Sequence, residues 1–247
     1  MLTVRPVGPA DRLRRPAGVL LGLCLMAAAV PVSTAVAAPR AYAMDLGVRA
    51  DFVAQTNNVQ CVGASMQMML NMMRAGADRT AATQRKLQQL AREYSGPRPD
   101  GFVRRGASVR GWAAGLTFMG AGGYRVDGAP TIEEATLMAA RAMRMTGRPA
   151  GLLVWSGRHA WVMSGFRSTI DPLLSGARIT GVIVEDPLYP AVSSQWGRSP
   201  TPGAVLNLSV LGRQFVPRWG SWWSSGLDGQ FVVVLPYEFD PRHLRNI

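Results

Sequence analysis

The chain has 247 residues, a 48% apolar content and a formal charge of +12, which supplies enough apolar material for one generous core and excludes a wholly disordered chain. Five arginines and one aspartate fall within residues 1–43, so 22 of the 27 basic and 14 of the 15 acidic residues, a balance of +8, belong to the rest. Only Lys86 among them is a lysine, and the basic residues are scattered singly without interleaved aromatics. That pattern argues against nucleic acid as a partner and leaves association with an anionic cell surface as the electrostatic alternative.

Residues 1–43 read as an export signal. Arg12, Arg14 and Arg15 form a positive start, Ala17 to Val30 an apolar run, and Ala35-Val-Ala37 and Ala41-Tyr-Ala43 two candidate cleavage sites. The run stops at Pro31, short for a spanning helix, so an uncleaved membrane anchor is the secondary reading. Arg14-Arg15 matches a twin-arginine signal only loosely, and Leu23 precedes Cys24 where a lipoprotein signal wants a small residue. With the signal removed, Cys61 is the only cysteine left, an unpaired thiol in an exported protein. The commonest fate of such a thiol is to fill core space.

Residues 44–247 read as one domain, with 190–247 as a less regular extension. A short polar segment leads to Cys61, and Ala64, Met68, Leu70, Met72 and Met73 predict a helix from Cys61 to near Gly76. Its methionines are core filling, since no histidine or second cysteine joins them as a metal ligand set. A second helix is predicted over Ala81–Glu93, with Leu87, Leu90 and Ala91 inward and Arg85, Lys86 and Arg92 in solvent. Ser108 starts a third helix through Trp112 and Leu116, Tyr124–Asp127 is a short strand, and Thr131-Ile-Glu-Glu134 caps a fourth helix that ends at Gly147. Strands follow over Gly151–Trp155, Ala160–Phe166, Ile179–Glu185 and Phe231–Leu235, with a tight turn at Ser156–His159 and a loop at 167–178. Helices first and strands later make an α+β fold.

The chemistry centres on Cys61. A thiol in the first turn of a helix lies where backbone N–H groups favour a negative charge. The chain has two histidines: His243 sits in a charged tail, and His159 opens an apolar strand, where a side chain is held rigidly at a cleft edge. A cysteine–histidine pair needs a third group to orient the imidazole. Asp186 ends the strand expected beside that of His159 and is followed by Pro187, so its carboxylate can reach the Nδ1–H across the ladder. Asp171, also before a proline, lies in a loop and is the competitor, while Glu185 alternates to the opposite face. Gln55, six residues before Cys61, can donate to an oxyanion together with the Cys61 backbone N–H.

This set resembles the papain-like cysteine peptidases, in particular the bacterial peptidase C39-like group. The resemblance rests on Gln55, Cys61, Gly157-Arg-His159-Ala-Trp-Val162 and Val184-Glu-Asp186-Pro187, and spans roughly Phe52 to Tyr189. It implies a papain-like fold, with the cysteine helix of an N-terminal helical part packed on a C-terminal antiparallel sheet. It further implies Cys61 as nucleophile, His159 as general base and then acid, Asp186 as orienting group and Gln55 as oxyanion donor. No metal or cofactor is implied, and the substrate would be a peptide or protein. Val62-Gly-Ala-Ser65 only partly follows the family pattern, and no ATP-binding motif accompanies the site, so leader-peptide cleavage does not carry over. Two alternatives keep the fold: an amidase or transferase on cell-wall peptides, and a non-catalytic binding protein. The latter would use Trp196, Trp219, Trp222 and Trp223, which otherwise cover the core.

Overall fold

Two kinds of apolar run account for the architecture: helical stripes before residue 150 and short, almost wholly apolar strands after it. The computed structural model describes residues 40–74, 76–97, 101, 105–219 and 225–238, all within the compact unit Ala38–Ile247. Residues 1–39, which hold most of the expected export signal and Cys24, lie outside the described residues, as do Trp222, Trp223 and His243.

In chain order the elements are β1 (Tyr42–Asp45), α1 (Cys61–Met73), α2 (Ala81–Glu93), α3 (Val109–Phe118), β2 (Gly123–Ala129), α4 (Ile132–Thr146) and β3 (Ala150–Val154). They continue with β4 (His159–Ser168), β5 (Ile179–Glu185), β6 (Val192–Ser193), β7 (Gly197–Arg198), β8 (Ala204–Leu206), α5 (Leu208–Leu211) and β9 (Phe231–Tyr237). The helix starts are chemically specified. Ser108 Oγ accepts from Gly111 N–H at 3.1 Å and Thr131 Oγ1 from Glu134 N–H at 3.2 Å, while Gly147, at φ 65°, closes α4 in the left-handed region.

A seven-stranded antiparallel sheet runs β2-β9-β3-β4-β5-β8, with β1 pairing the far half of β4. The α+β class holds. The C-terminal residues 190–247, expected as a less regular extension, contribute β8, α5 and β9, and β9 lies inside the sheet between β2 and β3.

Both faces of the sheet are covered, which explains strands that are apolar throughout rather than alternating. Ala160, Val162, Val232 and Val234 face one core with Met66, Met69, Leu87 and Trp112 from α1, α2 and α3. Trp161, Met163, Val233 and Leu235 face the other, with Ala139 and Met143 of α4 and with Phe215. Successive residues of each strand thus serve opposite layers, as strand pleating requires. The methionines of α1 are core filling: Met66, Met68 and Met69 are fully buried.

Candidate active site

Cys61 is the first residue of α1, half-buried and unpaired. The loop before it is held from α2 by two buried glutamines. Gln84 Oε1 accepts from Thr56 N–H at 2.8 Å and its Nε2 donates to Ala54 O at 3.0 Å. Gln88 Oε1 accepts from Gly63 N–H, in the first turn of α1, at 2.8 Å. Gly63 makes this approach feasible, because a Cβ there would meet Gln84 O at 2.7 Å and Gln88 Cβ at 2.9 Å. With the Gly63 N–H taken, those of Cys61 and Val62 find no acceptor among the described residues and stay available to an anion.

The helix then leans on the histidine strand: Ser65 Oγ donates to Ala160 O at 3.2 Å, one residue beyond His159. His159 opens β4 opposite Val154 and is 3% exposed. As expected, β5 lies beside β4 and ends at Glu185, so that Asp186 arrives at the imidazole. Asp186 Oδ1 stands 2.7 Å from His159 Nε2 and also accepts from Leu188 N–H at 2.8 Å. The ring nitrogen facing the carboxylate is Nε2, not the Nδ1 expected from sequence. Strand register sets which residues meet, but χ2 of the histidine decides which nitrogen does. With Nε2–H donating to Asp186, Nδ1 is the ring nitrogen left to take up and release a proton.

The Cys61 thiol acts on the same imidazole. Burial pushes His159 down, but its hydrogen bonds to Asp186 and Cys61 and the charges of both outweigh it, raising the pKa from 6.5 to about 9. Pro187 O accepts from Gln55 N–H at 2.7 Å, so the segment after Asp186 is tied to the loop before Cys61. Hydrogen bonds thus link the Gln55 and Asp186 segments and join Asp186 to His159, while Cys61 opens the helix that leans on the histidine strand. For Gln55 the detail differs from a ready oxyanion donor. Its Nε2 donates to Asn57 O at 2.8 Å, leaving one of its two amide hydrogens, while its Oε1 is buried without an acceptor role among the described residues.

The competitors lie elsewhere. Asp171 Oδ2 pairs with Arg144 Nη2 at 3.1 Å and its Oδ1 accepts from Leu173 N–H. Glu185 points away from His159: Oε1 accepts from Ser164 Oγ and Oε2 from Gly203 N–H, both at 3.2 Å. Its burial, reinforced by the charges of Asp45 and Asp51, lifts its pKa from 4.5 to about 7 against these hydrogen bonds. Among the described residues no group of three or more His, Cys, Asp or Glu side chains is placed to hold a metal ion.

Sequence reasoning missed Gln84 and Gln88, although the signal was present: they lie at i−3 and i+1 from Leu87, on the inward face of α2, where a polar residue needs a buried reason. It also missed Trp155. This residue leaves the predicted strand and takes φ 58°, with Ser156 at φ 54°, in the left-handed region that bulky side chains avoid. Its indole lies against the imidazole, ring centroids 4.3 Å apart. Of the expected tryptophan face, Trp196 is half-buried and stacks on Trp155, while Trp219 is 71% exposed and so covers no core.

Compared with models of known protein families and with curated proteins, the chain finds no match.

Proposed function

We propose that the chain is an exported papain-like cysteine hydrolase that cleaves an amide bond in a peptide or protein through a thioester on Cys61. The observation that carries this reading is the His159 imidazole, held by Asp186 through Nε2 at 2.7 Å while the helix-opening Cys61 thiol acts on the same ring. The buried Nε2 contact leaves Nδ1 for the thiol proton, which supports a nucleophile–base–orienter unit.

In the reaction His159 takes the Cys61 proton and the sulfur attacks the substrate carbonyl. Charge develops on the carbonyl oxygen, which the N–H groups of Cys61 and Val62 and the remaining Gln55 amide hydrogen are suited to receive. His159 then gives its proton to the departing amine, the C–N bond breaks and a thioester remains. Water, deprotonated by His159, attacks the thioester carbonyl, the C–S bond breaks to release the carboxylic acid, and His159 returns its proton to the sulfur.

Export is part of the proposal. The pairing of Tyr42–Asp45 with Gly165–Ser168 favours cleavage after Ala37, since cleavage after Ala43 would remove half of β1. N-terminal sequencing of protein recovered outside the cytoplasm tests this, and a start at Met44 would contradict it. Hydrolysis is tested by screening a peptide library with wild type, Cys61→Ala and His159→Ala. Cleavage that survives Cys61→Ala would end the reading.

A further inference from the structure

The sheet ends differently on its two sides. At one end β8 is only three residues long, which gives another chain little to pair with. At the other lies β2, seven residues in unbroken register with β9 from Gly123 opposite Tyr237 to Ala129 opposite Phe231. A regular edge strand ordinarily carries a proline, a bulge or a blocking charge that keeps other chains away. β2 has no proline and no bulge, and its charges are of both signs.

The register shows which backbone groups face off the sheet. Opposite Tyr124 stands Pro236, which has no N–H, and Tyr124 N–H donates to Thr117 Oγ1 at 3.0 Å. Tyr124 thus turns its backbone groups away from β9, and antiparallel alternation makes Val126 and Gly128 do the same. Gly128 N–H is taken by Asp127 Oδ1 at 2.9 Å. The N–H and C=O of Val126 find no partner among the described residues.

Arg125 and Asp127 flank Val126 on one face of the strand, 3.4 Å apart, and both reach solvent. The Arg125 guanidinium also stands over the Tyr237 ring, 5.9 Å from its centroid. Between this edge and α4 runs a groove of about 520 Å³, lined by Arg125 with Met138, Met145, Leu235 and Tyr237. Met145 is largely exposed there.

We propose that two copies of the chain join edge to edge through β2, antiparallel about a two-fold axis at Val126, so that one sheet runs through both. At the axis each Val126 N–H donates to the Val126 C=O of the second copy, which uses both groups left over on the edge. One residue away, Arg125 of each copy stands opposite Asp127 of the other, in a non-hydrogen-bonded pair where side chains approach most closely. Four charges then alternate in sign around the axis. The neighbouring registers that keep the same backbone groups facing set Arg125 opposite Arg125 or Asp127 opposite Asp127, so charge selects this one. A lasting interface buries about 1,000 Å² or more, which a strand pair does not supply alone. The two grooves lie on one side of the joined sheet and flank the axis, where Met145 adds apolar contact area. The histidine strand β4 is separated from β2 by β9 and β3, so this inference and the hydrolase reading stand or fall separately.

Charge exchange tests the pairing. By sedimentation equilibrium the wild type should have twice the chain mass at micromolar concentration. Arg125→Asp and Asp127→Arg, each alone, set like charges opposite one another and should weaken association about tenfold or more. Mixed in equal amounts, the two variants set the aspartates of one against the arginines of the other and should recover association, as should the double variant Arg125→Asp with Asp127→Arg. Recovery on mixing shows that the single variants are folded. Hydrogen exchange of the Val126 amide, read by NMR, should slow as the wild type is concentrated, because the amide gains an acceptor only in the dimer. A wild type that stays monomeric leaves the edge to a strand of some other protein and would overturn the inference. Single variants that associate as well as wild type, a mixture that stays dissociated, or Val126 exchange unaffected by concentration would also overturn it.

Discussion

Replacing Asp186 with asparagine isolates the contribution that most distinguishes this histidine from an ordinary one. The substitution keeps shape and an oxygen for Nε2–H and Leu188 N–H, but removes the charge 2.7 Å from the ring. In the wild type His159 is lifted from 6.5 to about 9 although burial opposes it. Without the carboxylate, burial is opposed chiefly by Cys61, so the imidazole of Asp186→Asn should titrate well below the wild-type value of about 9. The shift is also a stability statement. A histidine whose folded pKa is raised stabilises fully below pH 6.5, and loses that stabilisation as pH rises through about 9. The loss amounts to about 3 kcal/mol, at about 1.4 kcal/mol per pKa unit. Imidazole titration by heteronuclear NMR gives the pKa directly, and urea unfolding at pH 6 and pH 9.5 gives the linked stability. The wild type should lose stability across that interval and Asp186→Asn should lose much less. An unchanged titration near 9 in the variant, or a wild-type value near 6.5, would refute the assigned role of Asp186.

Three further outcomes are expected. Glu185, raised to about 7 mainly by burial, opposes folding increasingly as pH rises from 4.5 through 7. Glu185→Gln should therefore be stabilised at pH 8 by up to about 3 kcal/mol and little changed at pH 4, with the His159 titration unmoved. Gln88→Leu strands the Gly63 N–H at the head of α1 and should cost about 1–3 kcal/mol in urea unfolding. It should also slow alkylation of Cys61, and a normal alkylation rate would show that the loop holds its place unaided. Gln55→Ala should lower peptide hydrolysis about 100-fold while leaving Cys61 alkylation by a small reagent within a few fold, because only the former develops an oxyanion.

How much could be read beforehand depended on whether the deciding interactions are local. Helix α2, from Ala81 to Glu93, and strand β5, from Ile179 to Glu185, carry their own periodicity and stop signals, and their observed bounds agree with those expected. Cys61, His159 and Asp186 were legible because each stands at the edge of such an element, where chain direction alone sets the exit point. Three features depend on tertiary geometry. Strand β9 inserts between β2 and β3 across about a hundred residues of chain, which no local pattern encodes. The choice of Nε2 over Nδ1 is a side-chain rotation. The departure of Trp155 from its strand reflects the contacts its ring makes with His159 and Gln214, strong enough to hold a φ that its own sequence context disfavours.

The central claim is that Cys61 and His159 act as one unit, and the alkylation rate of Cys61 at pH 6 tests it most directly. With its pKa raised to about 9, His159 is an imidazolium at pH 6, a cation coupled to the Cys61 sulfur. Intact-mass measurement with iodoacetamide at pH 6 should show the wild type modified at Cys61 about 100-fold faster than His159→Ala, both proteins being folded by circular dichroism. Equal rates would contradict the account.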